Sequence, residues 1–176
     1  MIVVPTELSG CLLIKPKIFS DSRGYFFESF NQQLFQEETG LDTTFVQDNE
    51  AFSNYGVIRG LHLQHGEHAQ AKLVRVITGK VLDVVVDVRP DSATYGKHIA
   101  VELSGENKYQ LFIPRGMAHG YAVLEDGTRF SYKCDNYYNK AAEGGVLFSD
   151  PALGIDWKIP QDRWIVSDKD LVLPVL

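Results

Sequence analysis

Residues 72–88, Lys-Leu-Val-Arg-Val-Ile-Thr-Gly-Lys-Val-Leu-Asp-Val-Val-Val-Asp-Val, carry the clearest structural signal in the chain. Two runs rich in β-branched residues flank Gly79, and this pattern predicts two β-strands joined across a glycine turn. Similar short apolar runs, separated by Gly, Asn, Asp and Pro, recur through the middle of the chain. The spacing is typical of an all-β domain, and we expect a double-sheet jelly roll whose open barrel mouth can accept a ligand.

Two carboxylates interrupt the second of these runs. Asp83 and Asp87 are four residues apart, so both lie on the same face of a strand. That face either lines the lumen of a closed barrel or faces solvent.

Helical signals are weak and short. Residues 31–39, followed by Gly40, predict one helix, and residues 161–166 predict about one turn. The tail after Asp150 contains apolar side chains that need burial: Trp157, Trp164, Ile165 and Val166. We therefore expect the tail to pack back onto the barrel.

Length and composition indicate one folded unit. With 176 residues, 44% of them hydrophobic, the chain can fill one core, and residues 1–176 are expected to form a single domain.

The net charge of −6, without a basic cluster, argues against nucleic acid or a membrane surface as a partner. No apolar stretch approaches the roughly 20 residues of a membrane helix, and no signal peptide is evident, so we expect a cytoplasmic protein. Cys11 and Cys134 are isolated, which predicts two free thiols.

Polar and reactive side chains concentrate in four segments: 21–28, 47–49, 59–72 and 114–119. Within them Arg23, Arg59 and Lys72 are either a clamp for a diphosphate or ordinary solvated charges. The spacing alone does not decide between these two interpretations.

Two of the segments resemble the paired motifs of cupins: His62-x-Gln64 followed by Lys72 and Gly79, and Pro114-x-Gly116-x-x-His119. In metal-binding cupins the first motif offers His-x-His and a glutamate, and the second offers one more histidine. Here Gln64 replaces the second histidine and Lys72 replaces the glutamate, so a divalent cation would lose two ligands and meet a positive charge. We therefore expect no metal, with His62 and His119 as free imidazoles.

Over nearly all 176 positions the chain resembles the dTDP-4-dehydrorhamnose 3,5-epimerase family. The matching segments are residues 21–28, 47–49, 56–64, 70–76, 79–89, 113–120, 132–138 and 167–170. The resemblance implies a cupin-type double-stranded β-helix with short peripheral helices, and an enzyme without cofactor or metal. It also implies a homodimer whose subunits exchange N-terminal strands.

The resemblance further implies four catalytic residues. His62 is the expected base, oriented by the carboxylate of Asp170, and Tyr132 is expected to deliver a proton from the opposite face of the sugar. Lys72 is the expected donor to the developing enolate oxygen.

The same resemblance implies the substrate-binding residues. Arg23 and Arg59 are expected at the diphosphate, Phe26 and Glu28 at the nucleotide, Gln47 and Asn49 near the base or sugar, His119 in the pocket, and Tyr138 on thymine. In a homodimer Arg23, Phe26 and Glu28 are expected to reach the partner subunit's pocket.

Two positions depart from the family pattern or leave a choice. Many relatives carry a proline-containing turn after Gln64, whereas this chain has His65-Gly66-Glu67-His68, which we interpret as an exposed loop. The tail offers both Asp168 and Asp170, and Asp170 is preferred because it follows Lys169 as in the family's Lys-Asp pair.

The implied reaction converts dTDP-4-dehydro-6-deoxy-D-glucose to dTDP-4-dehydro-L-rhamnose, for polysaccharide biosynthesis. Three alternatives remain at this point. The first is an epimerase that inverts only C3 or only C5 of another dTDP-4-keto-deoxysugar. The second is a metal-dependent cupin isomerase or oxygenase, and the third is a non-catalytic module that binds a nucleotide sugar.

Overall fold

Thirteen β-strands and two short α-helices make up the regular structure, so the fold is all-β, as the sequence pattern predicts; the second helix was not predicted. The computed structural model describes residues 1–176. The strands are β1 (Ile2–Pro5), β2 (Leu12–Lys15), β3 (Phe19–Asp21), β4 (Gly24–Phe26), β5 (Gln47–Ser53), β6 (Ile58–Gln64), β7 (Lys72–Thr78), β8 (Lys80–Asp87), β9 (His98–Ser104), β10 (Gln110–Ile113), β11 (Met117–Val123), β12 (Thr128–Cys134) and β13 (Glu143–Gly145). The helices are α1 (Gln32–Thr39) and α2 (Asp168–Leu171), with 3₁₀ turns at Gly66–His68, Lys140–Ala142 and Gln161–Arg163.

Two antiparallel sheets form the body of the fold. One has the strand order β1-β2-β10-β7-β12-β5, and the other has the order β13-β6-β11-β8-β9. Strands β3 and β4 form a separate hairpin. Side chains from both large sheets meet in one apolar cluster, which includes Val74, Val85, Leu111 and Phe130. This two-layer arrangement is the jelly roll that the sequence predicts.

The two strands predicted around Gly79 are present, but they belong to different sheets. Strand β7 pairs with β10 and β12, whereas β8 pairs with β9 and β11. Gly79 has a φ of 79°, in the left-handed region that favours glycine. The turn therefore carries the chain from one layer to the other and does not close a hairpin.

Burial on both faces explains the uninterrupted apolar run of β8. Val85 points into the cluster between the sheets, while Val84 and Val86 belong to a second cluster on the outer face of the five-stranded sheet. The chain that follows β13, including the tail, covers that outer face with Phe148 and Trp157. A strand covered on both sides loses the alternation of apolar and polar residues.

One prediction about the tail is wrong. Trp157 is buried and Trp164 and Val166 are half-buried, as expected, but Ile165 is 57% exposed. The segment is extended here, with Ile165 in a parallel bridge to Val57, so its side chains alternate in direction. The side chains on either side of Ile165 pack against the second cluster, whereas Ile165 faces away from that cluster and borders the cavity described below.

The predicted helix is confirmed with its caps. The side chain of Asn31 accepts a hydrogen bond from the N–H of Leu34, and Gly40 ends the helix with a φ of 70°. Phe35 is the buried anchor of this helix and packs against Phe112 on the outer face of the six-stranded sheet. Neither α-helix has the length and hydrophobicity that crossing a membrane requires.

Asp83 and Asp87 are both fully buried, so the solvent-facing interpretation is wrong. Asp83 points into the lumen and pairs with His119.

Asp87 lies at the end of the strand, where burial works to raise its pKa. Hydrogen bonds from Arg89, Ser92 and Thr94 outweigh this burial and hold the pKa of Asp87 far below its usual value.

Candidate active site

A cavity of about 550 Å³ lies between the two large sheets. Strands of both sheets and the tail around α2 line it. Six of the predicted site residues face this cavity: Arg59, His62, Lys72, His119, Tyr132 and Asp170.

A smaller cavity of about 250 Å³ adjoins the first and shares three residues with it: His62, Lys72 and Tyr132. Three more of the predicted site residues line this second cavity: Gln47, Asn49 and Tyr138. Because the two cavities share these residues, they are neighbouring parts of one candidate site for an elongated ligand.

The three remaining predicted residues lie outside both cavities of this chain. The side chain of Arg23 is 88% exposed in the β3–β4 hairpin, where it pairs with Asp21. Phe26 is 67% exposed on the same hairpin. Glu28 accepts a hydrogen bond from Asn31 at the start of α1.

An irregularity in β6 brings Arg59 and His62 into the same cavity. The two residues are three positions apart, which in a regular strand places their side chains on opposite faces. The pairing of β6 with β11 shifts register between them. Gly60 has a φ of 126° at this point, and a Cβ there would lie 2.6 Å from the Cα of Gly120. Only glycine permits this close approach of the two strands.

His62 forms a hydrogen-bonded pair with Asp170. The distance between His62 Nε2 and Asp170 Oδ1 is 2.7 Å, and Asp170 Oδ2 accepts the N–H of Gly60 at 3.1 Å. Burial works to raise the pKa of Asp170, but the hydrogen bonds from His62 and Gly60 outweigh it and lower the pKa. Asp170 is 3% exposed, whereas Asp168 is exposed at the start of α2. This contact uses Nε2, so Nδ1 is the nitrogen of His62 that is available to a ligand.

A second histidine–carboxylate pair lies deeper in the lumen. His119 is the direct cross-strand neighbour of His62, and its Nε2 lies 2.9 Å from Asp83 Oδ2. Burial lowers the pKa of His119 and raises the pKa of Asp83. Both shifts favour the neutral form of each group.

Lys72 and Tyr132 face each other beside these pairs. Lys72 Nζ lies 6.0 Å from the centroid of the Tyr132 ring. Burial lowers the pKa of the Lys72 ammonium and raises the pKa of the Tyr132 phenol. The cavity therefore combines a carboxylate-bound imidazole, a lysine amine and a protonated phenol, the kinds of group that proton transfer next to a carbonyl requires.

The family model described as dTDP-4-dehydrorhamnose 3,5-epimerase matches residues 5–176. The chain belongs to this family. The dTDP-4-dehydrorhamnose 3,5-epimerase of Salmonella typhimurium is 49% identical over 176 residues, which covers 100% of this chain and 96% of that protein.

Solved structures of dTDP-4-dehydrorhamnose 3,5-epimerase relatives confirm the predicted fold. The enzyme from Elizabethkingia anophelis superimposes with a TM-score of 0.94 at 55% identity, covering 98% of this chain and 94% of that one. A dTDP-6-deoxy-D-glucose-3,5-epimerase from Legionella pneumophila, in complex with dTDP-4-keto-L-rhamnose, has a TM-score of 0.94 at 43% identity. The coverage is 98% of this chain and 91% of the Legionella chain.

The sequence analysis did not predict two charged residues of the candidate site. Lys169 lines the larger cavity and Glu143 the smaller one, and the two form an ion pair. Tyr138 donates a hydrogen bond from its hydroxyl to Glu143 Oε2 at 3.3 Å. Lys169 stands inside the matching segment 167–170, which was a usable signal. Glu143 had none, because only the pairing of β13 with β6 brings it to the cavity.

The histidine run after Gln64 forms an exposed turn, as expected, and packs on the segment that follows β12. His65 is exposed, and a Cβ at Gly144 would lie 2.2 Å from its Nε2. His68 Nε2 accepts a hydrogen bond from Asn139 Nδ2 at 2.8 Å. These histidines therefore have a packing role beside the cavity.

Proposed function

We propose that this chain, acting as one domain over residues 1–176, inverts C5 and C3 of dTDP-4-dehydro-6-deoxy-D-glucose to give dTDP-4-dehydro-L-rhamnose. The observation that carries the proposal is the His62–Asp170 pair in a cavity that also contains Lys72 and Tyr132. The chain is thus an isomerase that acts on a dTDP-linked sugar of the polysaccharide precursors. The ketone already acidifies both neighbouring carbons, so positioned acid, base and charge are sufficient for the reaction.

His62 is the base in this mechanism. Asp170 holds the proton of the imidazole on Nε2, which leaves the lone pair of Nδ1 to take a proton from the substrate carbon. The electron pair of the broken C–H bond moves into the enolate, whose oxygen carries the negative charge. Asp170 stabilises the imidazolium that forms, because its lowered pKa keeps it ionised near neutral pH.

Lys72 and Tyr132 complete the proton transfer. The ammonium of Lys72 stabilises the enolate oxygen, and the phenol of Tyr132 returns a proton to the carbon from the opposite face. The raised pKa of Tyr132 keeps the phenol protonated near neutral pH, as this role requires. His62 then releases its proton to solvent and the Tyr132 phenolate takes one up, and repetition at the second carbon gives the doubly inverted sugar.

The rest of the site binds the nucleotide and diphosphate. Arg59 and His119 border the reacting groups. Gln47, Asn49 and Tyr138 line the adjoining cavity, where thymine is expected to stack on the ring of Tyr138. A homodimer would allow Arg23, Phe26 and Glu28 to serve the partner's site, since none of them lines either cavity of the candidate site in its own chain. The exposed position of Phe26 supports this arrangement.

No metal or cofactor has a role in the proposed reaction. Gln64 and Lys72 occupy two of the ligand positions of metal-binding cupins, and His62 and His119 are each hydrogen-bonded to a carboxylate. The two cysteines are free and buried, which suits the reducing cytoplasm. These free thiols support the proposal of a cytoplasmic enzyme.

Proton NMR in deuterated water tests the function. The chelator-treated protein is mixed with the 4-keto substrate, and exchange at C3 and C5 is followed with a reductase trap for product. Exchange at both carbons with an L-rhamnose product is expected. Exchange at one carbon only would replace the proposal with a single-site epimerase, and exchange that needs added metal would contradict the metal-free reaction.

Lys72→Met should reduce kcat/KM by about 10²- to 10³-fold, the usual effect of removing one donor to a developing oxyanion. Burial lowers the pKa of Lys72, so the wild-type rate should fall as pH rises through that lowered pKa and the ammonium is lost. Lys72→Arg keeps its charge at all accessible pH values and should move this basic fall to higher pH. The check is kcat/KM as a function of pH for both proteins; an unchanged profile in Lys72→Arg would assign the fall to another group.

A further inference from the structure

Residues 136–139, named here the Tyr138 segment, follow β12 and form no strand or helix. Glutamine side chains from three other parts of the chain hold its backbone. The three hydrogen bonds are Tyr138 N–H to Gln47 Oε1 (3.1 Å), Asn139 N–H to Gln64 Oε1 (2.7 Å) and Gln70 Nε2 to the Asn136 carbonyl (2.8 Å). Side chains therefore make most of the contacts that hold the segment around Tyr138, because it joins no β-sheet and the only backbone N–H that it accepts from is that of Ala142 in the next turn.

Gln64 differs from the other two glutamines in its burial and in its second polar atom. It is 5% exposed, and its Nε2 is buried without a hydrogen-bond partner in the chain. A backbone N–H can only donate, so the atom of Gln64 that faces Asn139 is the oxygen, and the amide orientation is fixed. An unpaired buried amide costs free energy that a ligand oxygen would recover.

The position of Gln64 on β6 determines which part of a bound ligand lies next to its side chain. Gln64 and His62 are two residues apart on β6 and both line the smaller cavity. Residues with this spacing share a face of a strand, about 7 Å apart. The group beside the base is the reacting sugar, whose hydroxyl and carbonyl oxygens are neutral acceptors suited to an amide donor.

We propose that Gln64 is a positioning residue that joins the two halves of the site. Its Oε1 holds the Tyr138 segment for the nucleotide, and its Nε2 donates a hydrogen bond to an oxygen of the sugar. This inference rests on the proposed function, since it takes the ligand to be a dTDP-hexose. The position that supplies a metal ligand in other cupins thus supplies substrate recognition here.

Binding of dTDP and of dTDP-glucose separates the two roles. dTDP-glucose lacks the ketone, so it binds without reacting. Gln64→Glu keeps an oxygen for the Asn139 N–H but replaces the donor with an acceptor. We expect its affinity for dTDP to stay within about threefold of wild type and its affinity for dTDP-glucose to fall about tenfold or more, the loss of one hydrogen bond.

Two further variants give the comparison its controls. Gln64→Met removes both polar atoms at similar volume and should weaken both ligands, with the larger loss for dTDP-glucose. Gln70→Met removes one bond to the Tyr138 segment and should weaken both ligands by the same factor. Calorimetry gives the dissociation constants, and thermal unfolding reports the stability of each variant.

Three results would overturn the inference. Wild-type affinity of Gln64→Glu for dTDP-glucose would remove the donor role, and a Gln64→Met protein with a lower Tm but unchanged affinities would remove the positioning role. If the buried carboxylate prevents Gln64→Glu from folding, equal losses for both ligands in Gln64→Met would reject the donor. These measurements need no turnover, so their failure is distinct from a failure of proton exchange in the wild-type enzyme.

Discussion

Replacing His62 with asparagine should reduce kcat by at least about 10³-fold while dTDP affinity stays within a few-fold of wild type. The shorter asparagine side chain does not reach Asp170 as Nε2 does, but the buried carboxylate keeps the Gly60 N–H as a hydrogen-bond partner. Its amide cannot accept a proton at neutral pH, so no base remains next to the substrate carbon. Two nitrogens of the Arg59 guanidinium each donate a hydrogen bond to Ser53 Oγ at 3.2 Å, so the position of Arg59 does not depend on His62.

His98→Asn provides the matched control for the His62 substitution. His98 begins β9 at the far edge of the five-stranded sheet and lines neither cavity of the site. The control should retain wild-type kcat and dTDP affinity. Turnover is measured with a reductase trap and binding by calorimetry. Loss of dTDP binding in His62→Asn, with a folded protein, would show that His62 serves the nucleotide and not the reaction.

Local sequence patterns predicted the strands but not their partners. The run on either side of Gly79 gives strands at nearly the expected residues, because β-branched residues and a glycine turn are local features. The pattern is compatible with a hairpin, yet β7 and β8 lie in different sheets. Pairing depends on residues far along the chain, such as those of β10 and β12, which no local pattern specifies.

The site was predictable where its residues stand inside long family motifs. His62, Lys72 and Tyr132 came from such motifs and line the same cavity. Glu143 was not predictable, since it reaches the cavity only through the pairing of β13 with β6. Gln64 was noticed for the metal that it cannot bind, but its contact with the Asn139 N–H needed the three-dimensional structure.

The choice between Asp168 and Asp170 gives the second prediction with a large expected effect. Asp170→Asn should reduce kcat by about 10³- to 10⁴-fold, because a wrong histidine tautomer costs about that much in comparable pairs. Asp170 accepts from both His62 and the N–H of Gly60. An asparagine has a single oxygen for these two donors. If that oxygen keeps the Gly60 N–H, the amide NH₂ faces His62 and moves the imidazole proton to Nδ1, where the base needs a lone pair.

Asp168→Asn is the control, since it makes the same chemical change two residues away on the exposed start of α2. It should leave kcat and KM near wild type, whereas Asp170→Asn should lower kcat with little change in dTDP affinity. The reverse result would move the orienting carboxylate to Asp168 and require α2 to rotate when substrate binds. Equal, small effects of both substitutions would mean that His62 keeps its tautomer without a carboxylate. The pair thus tests whether the 2.7 Å contact of His62 with Asp170 is the one that the reaction uses.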